Sequence, residues 1–275
     1  MKDFQVGFVG GGNMARAMAA GLLRSGVPAG RIAIGEPDSA SRHALTRDLG
    51  VRAEARNDDA VAAADVVVLA VKPQQLVAAL AAVRGALQAR RPLLLSIAAG
   101  IRRDSIRECC PGLGVVRAMP NRPALIGAGV SALWAGPDVD ATGRSLAEAV
   151  MAGCGRTVWV AAEPLLDVVT ALSGSGPAYF FWLAEQMAAA ATALGLQPDV
   201  AATLAAETLY GAGQLAHAEP DLAAQRIAVT SRGGTTEAAL GVLATPANNA
   251  MVAAALQAAA RRGSELAHQF GATGA

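Results

Sequence analysis

Val6-Gly7-Phe8-Val9-Gly10-Gly11-Gly12-Asn13-Met14-Ala15 decides how this chain is read. A short hydrophobic run meets three glycines, and an Ala-rich helical pattern opens at Met14. The spacing Gly10, Gly12, Ala15 fits G-x-G-x-x-A, which carries meaning only between a strand and a helix, as it stands here. Gly10 permits the tight turn, Gly12 lets backbone approach a pyrophosphate, and Ala15 lets the helix pack closely on the strand. Free N–H groups and the helix dipole then favour an anion at that end.

Working outward, short β-branched runs alternate with helical patterns. Phe4–Val9, Ile32–Ile34, Val66–Ala70, Leu93–Ile97 and Val115–Ala118 read as strands. Met14–Ser25, Ser39–Leu49, Asp58–Ala64, Gln75–Ala89 and Arg103–Glu108 read as helices. Such alternation predicts βαβ units and a mostly parallel sheet. Val66 to Val71 is apolar on both faces, as a central parallel strand should be. Gly129–Trp134 and Thr157–Val160 are expected to extend the sheet's edge. After Val160 the pattern is Ala- and Leu-rich with helical spacing, broken at Ser173–Pro177, Gly195–Pro198, Glu219–Asp221, Ser231–Thr235 and Thr245–Pro246. The expected fold is an α/β domain over residues 1–161, followed by an all-α domain of about five or six helices over 162–275.

The 275 residues carry a net charge of +1. That balance argues against nucleic acid or an anionic membrane as partner, since both need a concentrated basic face. With 3 Trp, 2 Tyr and 5 Phe, a base-stacking platform is also excluded. At 53% hydrophobic and 16% charged, the chain is not disordered. The charge-free stretch Ala238–Ala260 is interrupted by Pro246, Asn248, Asn249 and Gln257, so a membrane span is not expected. The N-terminus runs straight into the first strand, and Cys109, Cys110 and Cys154 make an odd number of thiols. Reduced cysteines in a cytoplasmic protein are the simplest expectation. His43, His217 and His268 form no metal-spaced cluster, so no metal is expected.

Further candidates stand at strand ends and helix starts. Glu36, at the end of the second strand, is placed where an acid holds the ribose 2′-OH of NADH. Ser39, Ser41 and Arg42 follow it and could instead hold a 2′-phosphate, so NADH and NADPH both stay open. Lys72, in Ala70-Val71-Lys72-Pro73, is one of two lysines, against 21 arginines. Its compact ammonium at a strand end is a candidate ligand group. The small residues of Ser96–Gly100 would admit a flat ring. Asn121 offers a donor and an acceptor between two prolines. Ser175 or Gly176 is a candidate cap before Pro177, and Gly174 and Gly176 would make room for a substrate. In Ser231-Arg232-Gly233-Gly234-Thr235-Thr236, two glycines at a helix start make an anion cradle. Thr235 or Thr236 could also cap the helix, with Glu237 in the first turn, but capping would not need Gly-Gly.

Taken in order, GFVGGGNMA, AVKPQ, SIAAGI, RAMPNRPALIGAG, ALSGSGPAYFF and VTSRGGTTEAAL resemble the pyrroline-5-carboxylate reductase family. The likeness runs from Val6 to about Leu266. It implies an N-terminal Rossmann domain, a C-terminal dimerisation domain that can assemble further, and NAD(P)H-dependent reduction of 1-pyrroline-5-carboxylate to L-proline. The resemblance assigns Gly10, Gly11, Gly12, Asn13 and Met14 to the pyrophosphate and Asn57 to the adenosine side. It places Ala70, Val71, Lys72 and Pro73, with Ala98, Ala99 and Gly100, at the nicotinamide half. The substrate carboxylate falls to the backbone of Ser231, Gly233, Gly234 and Thr235, and Thr236 is the catalytic candidate, bonding the ring nitrogen. Ser175 and Asn121 complete the implied substrate set. The chain departs from the family's usual S-P-G-G and M-P-N-T-P at Arg232 and Arg122. The rival readings are, among enzymes, a reductase of another imine or a β-hydroxyacid dehydrogenase, and, in another class, a dinucleotide-binding regulator without turnover. A β-hydroxyacid dehydrogenase should carry a Lys in the helical half, which has none. The regulator would not need the Gly-Gly-Thr-Thr cradle.

Overall fold

The structure is a computed structural model and describes residues 3–272. Contacts divide the chain into two compact units, one running to Gly174 and resuming from Ala259, the other Ser175–Ala258.

Among the described residues, eight strands of the first unit form one sheet in the order β3-β2-β1-β4-β5-β6-β7-β8. The strands are β1 Val6–Val9, β2 Ile32–Gly35, β3 Arg52–Glu54, β4 Val66–Leu69, β5 Leu93–Ser96, β6 Val115–Met119, β7 Gly129–Ala135 and β8 Gly155–Trp159. All neighbours pair parallel except β6 with β7. The helices of this unit are α1 Asn13–Arg24, α2 Ser39–Leu49, α3 Asn57–Val61, α4 Leu76–Arg90, α5 Arg103–Cys109, α6 Ala141–Met151 and α7 Leu165–Val169.

The two cores explain β4. Val66 and Val68 pack with Phe8, Met18, Leu22 and Ile34 in one layer. Val67 and Leu69 pack with Leu76, Leu80, Leu87 and Ile106 in the other. A strand with a core on each face must be apolar at every position. Each such side chain, fully buried, contributes about 1.5–3 kcal/mol. The order reverses at β1, so the ends of β1 and β4 lie side by side, with Val9 in register with Leu69. Ligands of open α/β sheets bind at that switch point.

Two elements differ from the sequence expectation. β3 is a three-residue edge strand with no apolar run to announce it, held by β2 through its backbone. α6 is the crossover that lets β8 return parallel to β7, which a tight turn could not do. The first compact unit runs on past Val160 to Gly174. α7 and the π-turn Thr170–Gly174 belong with the sheet, because Glu163 and Asp167 pair with Arg117 and Arg102.

The second unit holds α8 Gly176–Ala193, α9 Pro198–Ala218, α10 Leu222–Ala228, α11 Thr235–Leu243 and the first part of α12, Pro246–Ala272. Its breaks fall at the expected positions. Only Gly176 and Ala201 are buried across residues 175–258. Phe181 and Trp182 remain 57% and 55% exposed, alongside Phe180, Met187, Leu204 and Val242. Among the described residues, no single helix is long and apolar enough to cross a membrane; α11 and α12 meet those limits together but bend by 59°.

Candidate functional site: a dinucleotide cleft and a helix-start cradle

β1 delivers the chain into the glycine turn. Gly10 adopts φ +95, and a Cβ there would come within 2.8 Å of Val71 Cγ1, so glycine is required on both counts. Its N–H donates to the Gly35 carbonyl at 3.0 Å and ties the turn to β2. Gly12 is the N-cap of α1 and caps with no side chain. The space a Cβ of Gly12 would enter is open to 4 Å, and the first turn of α1 carries no acid. This bare helix start is suited to an anion.

A cavity of about 350 Å³ opens here. Gly12–Met14 forms one wall, and Ala70–Pro73, Ile97–Ala99 and Met119–Pro120 form the others. The turns after β1, β4, β5 and β6 thus meet at one sheet edge. Gly10 and Gly11 lie behind this lining, and Gly100 closes its turn with φ +74. Lys72 is exposed at the N-cap of the short 3-10 turn that opens with Pro73.

Glu36 reaches back to the same turn. Its Oε2 accepts the Gly11 N–H at 3.1 Å and its Oε1 accepts the Asp38 N–H at 2.9 Å. Arg42 Nη1 donates to the carbonyls of Glu36 and Pro37, at 2.8 and 2.6 Å. Asp38 caps α2, and the Ser41 N–H, at 2.7 Å, holds its carboxyl below the usual range. Asn57 lies over Gly35, where a Cβ would meet Asn57 Oδ1 at 2.2 Å. That Oδ1 is buried without a hydrogen-bond partner, an acceptor for which the protein itself supplies no donor. The bare helix start, the ribose-side acid and this orphaned acceptor fit an adenine dinucleotide.

Asn121 follows β6, between Pro120 and Pro123. It is buried, its Nδ2 donates to the Ser173 carbonyl at 3.1 Å and its Oδ1 accepts the Val130 N–H at 3.0 Å. Its amide is engaged at both ends by backbone and braces β7 against the π-turn. Gly174 packs on Met119, where a Cβ would come within 2.8 Å of Cε. Ser175 is the N-cap of α8 but makes no side-chain cap bond, and Pro177 follows within the first turn.

The second unit carries the other cradle. The cap of α11 is Gly234, not Thr235 or Thr236, which are its first two helical residues. Gly234 makes this possible with an extended backbone, after Gly233 turns the chain at φ +70. Glu237 Oε2 accepts the Gly233 N–H at 2.7 Å, and the Ser231 carbonyl accepts the Gly234 N–H at 3.1 Å. Glu237 and backbone therefore hold the two glycines before α11, and the cap at Gly234 uses no Thr hydroxyl.

Among the described residues, no group of His, Cys, Asp and Glu could hold a metal; the His268 side chain lies outside them. The sequence reading passed over one charged cluster. Arg102, Arg103 and Arg117 meet Asp138, Glu163 and Asp167 behind the turn after β5. Its one signal is Arg117 inside an otherwise apolar strand.

Residues 163–266 match the family described as pyrroline-5-carboxylate reductase dimerisation, and residues 5–100 match NADP oxidoreductase coenzyme F420-dependent. The pyrroline-5-carboxylate reductase of Pseudomonas aeruginosa is 41% identical over 98% of this chain and all of that protein. This chain belongs to the pyrroline-5-carboxylate reductase family. The Haemophilus influenzae member is 37% identical, again over 98% of this chain and all of its own length. The solved structure of the Coxiella burnetii member aligns with a TM-score of 0.91 at 36% identity, covering 96% of this chain and 98% of that one. The dimerisation match takes in the helices whose apolar faces stand exposed.

Proposed function

We propose that this chain reduces 1-pyrroline-5-carboxylate to L-proline with NADH or NADPH. The observation that carries the reading is the convergence of Gly12–Met14, Ala70–Pro73 and Ile97–Ala99 on one cavity beside a bare helix start. In this reading Gly10 to Met14 hold the pyrophosphate, and Glu36 and Asn57 the adenosine side. Ala70 to Pro73 and Ala98 to Gly100 hold the nicotinamide half. The dinucleotide, when bound, supplies the hydride.

The chain's own part is binding and orientation. A protonated cyclic imine is already electrophilic, so little acid–base machinery is required. Fixing the partners supplies about 7–11 kcal/mol of a barrier of this kind. The Gly233 and Gly234 N–H groups already donate to Glu237 Oε2 and the Ser231 carbonyl, so the substrate carboxylate falls to the Thr235 and Thr236 N–H groups at the start of α11, and the Thr236 hydroxyl holds the ring nitrogen. That hydroxyl is free of capping duty, which supports the assignment. Ser175 contributes from the start of α8, and Asn121 acts by fixing the Ser173 carbonyl.

Assembly as a homodimer or larger homo-oligomer belongs to the same reading. Helices apolar all round need a cover, and a second copy of residues 162–275 supplies one. The deciding experiment is loss of NAD(P)H absorbance on adding 1-pyrroline-5-carboxylate, with proline identified as product. Protein that binds the dinucleotide yet forms no proline ends the reading.

A further inference from the structure

Within the charged cluster behind the β5 turn, one oxygen does two things. Glu163 Oε1 accepts the backbone N–H of Arg103 at 2.7 Å and Arg117 Nη1 at 2.9 Å. Arg117 sits on β6, only 4% exposed, and its ladder partner on β5 is Ser96. Ser96 is the residue from which the turn departs, and Arg103 is where the turn ends and α5 begins. Both ends of the 97–102 turn are therefore referenced to one residue, through the Arg117 backbone in the ladder at one end and through its guanidinium and Glu163 at the other. Inside the turn the bonds are long: Ile101 N–H to the Ala98 carbonyl is 3.5 Å and Ala98 N–H to Ser96 Oγ is 3.4 Å. Arg102, the last residue before α5, is also held from outside, by Asp167 at 2.5 Å.

Arg117 is a rigid anchor. Burial pushes its guanidinium down from the usual range, and the Glu163 carboxylate pushes it back up. Arg117 Nε, Arg103 Nε and Arg102 Nη1 are buried without partners, so the cluster has no spare acceptor if Glu163 changes. Asp138 binds Arg103 Nη2 beside Gly136, and among the described residues its carboxylate has no hydrogen bond to the backbone of the turn.

We propose that Glu163 is a positioning residue for the dinucleotide cleft, clamping the Ala98–Gly100 wall through Arg103 and Arg117. This rests on the reading of that cavity as the dinucleotide site. The test compares Glu163→Gln with Asp138→Asn, both isosteric and both removing one charge from the cluster. Dinucleotide binding is followed by nucleotide fluorescence, without substrate, and hydrogen exchange is followed over residues 97–103. Glu163→Gln should weaken NADH and NADPH alike by about three- to tenfold and speed exchange in that segment, as expected when a supporting contact is loosened. Asp138→Asn should lower the melting temperature yet leave both readouts within about twofold of the parent. Equal loss of affinity in the two variants, or none in Glu163→Gln, overturns the clamp. If Glu163→Gln does not fold, Glu163→Asp, with its carboxylate one methylene short, is held to the same outcomes. If the parent binds no dinucleotide, the function reading fails, and exchange at 97–103 alone decides the clamp.

Discussion

The Glu36 carboxylate accepts the Gly11 N–H at 3.1 Å, which fixes an acid at the lip of the turn where a dinucleotide's adenosine ribose would lie. A fixed carboxylate accepts from a 2′-hydroxyl and repels a 2′-phosphate. Glu36→Ser should therefore raise kcat/KM for NADPH relative to NADH by about tenfold, which corresponds to about 1.4 kcal/mol. Steady-state kinetics with both nucleotides check this; an unchanged ratio means that Glu36 serves only to brace the turn.

Thr236 and Thr235 separate chemistry from capping. Gly234 is the cap of α11, so neither hydroxyl supports the helix end. Thr235→Ala and Thr236→Ala should both melt close to the parent. Thr236→Ala alone should lose about ten- to hundredfold in kcat/KM, the scale of one hydrogen bond to a charged group. That loss should fall mainly on kcat if the bond tightens in the transition state. Parent-like turnover in Thr236→Ala would remove its catalytic role.

Phe181, 57% exposed, lines an apolar groove of about 510 Å³ between α8 and α9 with Ala184, Ala188, Ala205 and Tyr210. The parent should be a dimer or larger by light scattering at micromolar concentration. Phe181→Asp should shift it towards monomer and lower its melting temperature, since a buried charge without a partner is costly. A monomeric parent would contradict the assembly.

Burial pushes the Cys110 and Cys154 thiols up to about 11. Unfolded thiols ionise near 8.5, so between roughly pH 9 and pH 11 the folded state binds more protons. Stability from keeping these thiols neutral is full below the unfolded pKa and is lost as pH rises through the folded one. The melting temperature should fall across that window, and Cys154→Ala should flatten part of the fall. Both thiols should resist alkylation at pH 8, with Cys109, which is only partly buried, reacting first.

Much of this protein was legible in sequence because its signals are local. A strand with a core on each face must read Val-Val-Val-Leu at 66–69. A turn at φ +95, where any Cβ would meet Val71 at 2.8 Å, must carry Gly10. Helix breaks show as Gly and Pro. β3 and α6 escaped because nothing in their own composition separates an edge strand or a crossover from its surroundings. What only the tertiary structure decided are pairings between distant residues. Asn121 looked free for a ligand until Val130 and Ser173 were brought to its two ends. Glu163 carried no signal of its own in sequence; folding placed it between Arg103 and Arg117, 60 and 46 positions away. Thr236 was open in sequence to capping as well as to substrate, until Gly234 proved to be the cap residue. Residue type states which bonds a side chain is able to make; which of them it makes depends on the neighbours the fold delivers, and a buried polar group takes whichever partner removes the cost of leaving water.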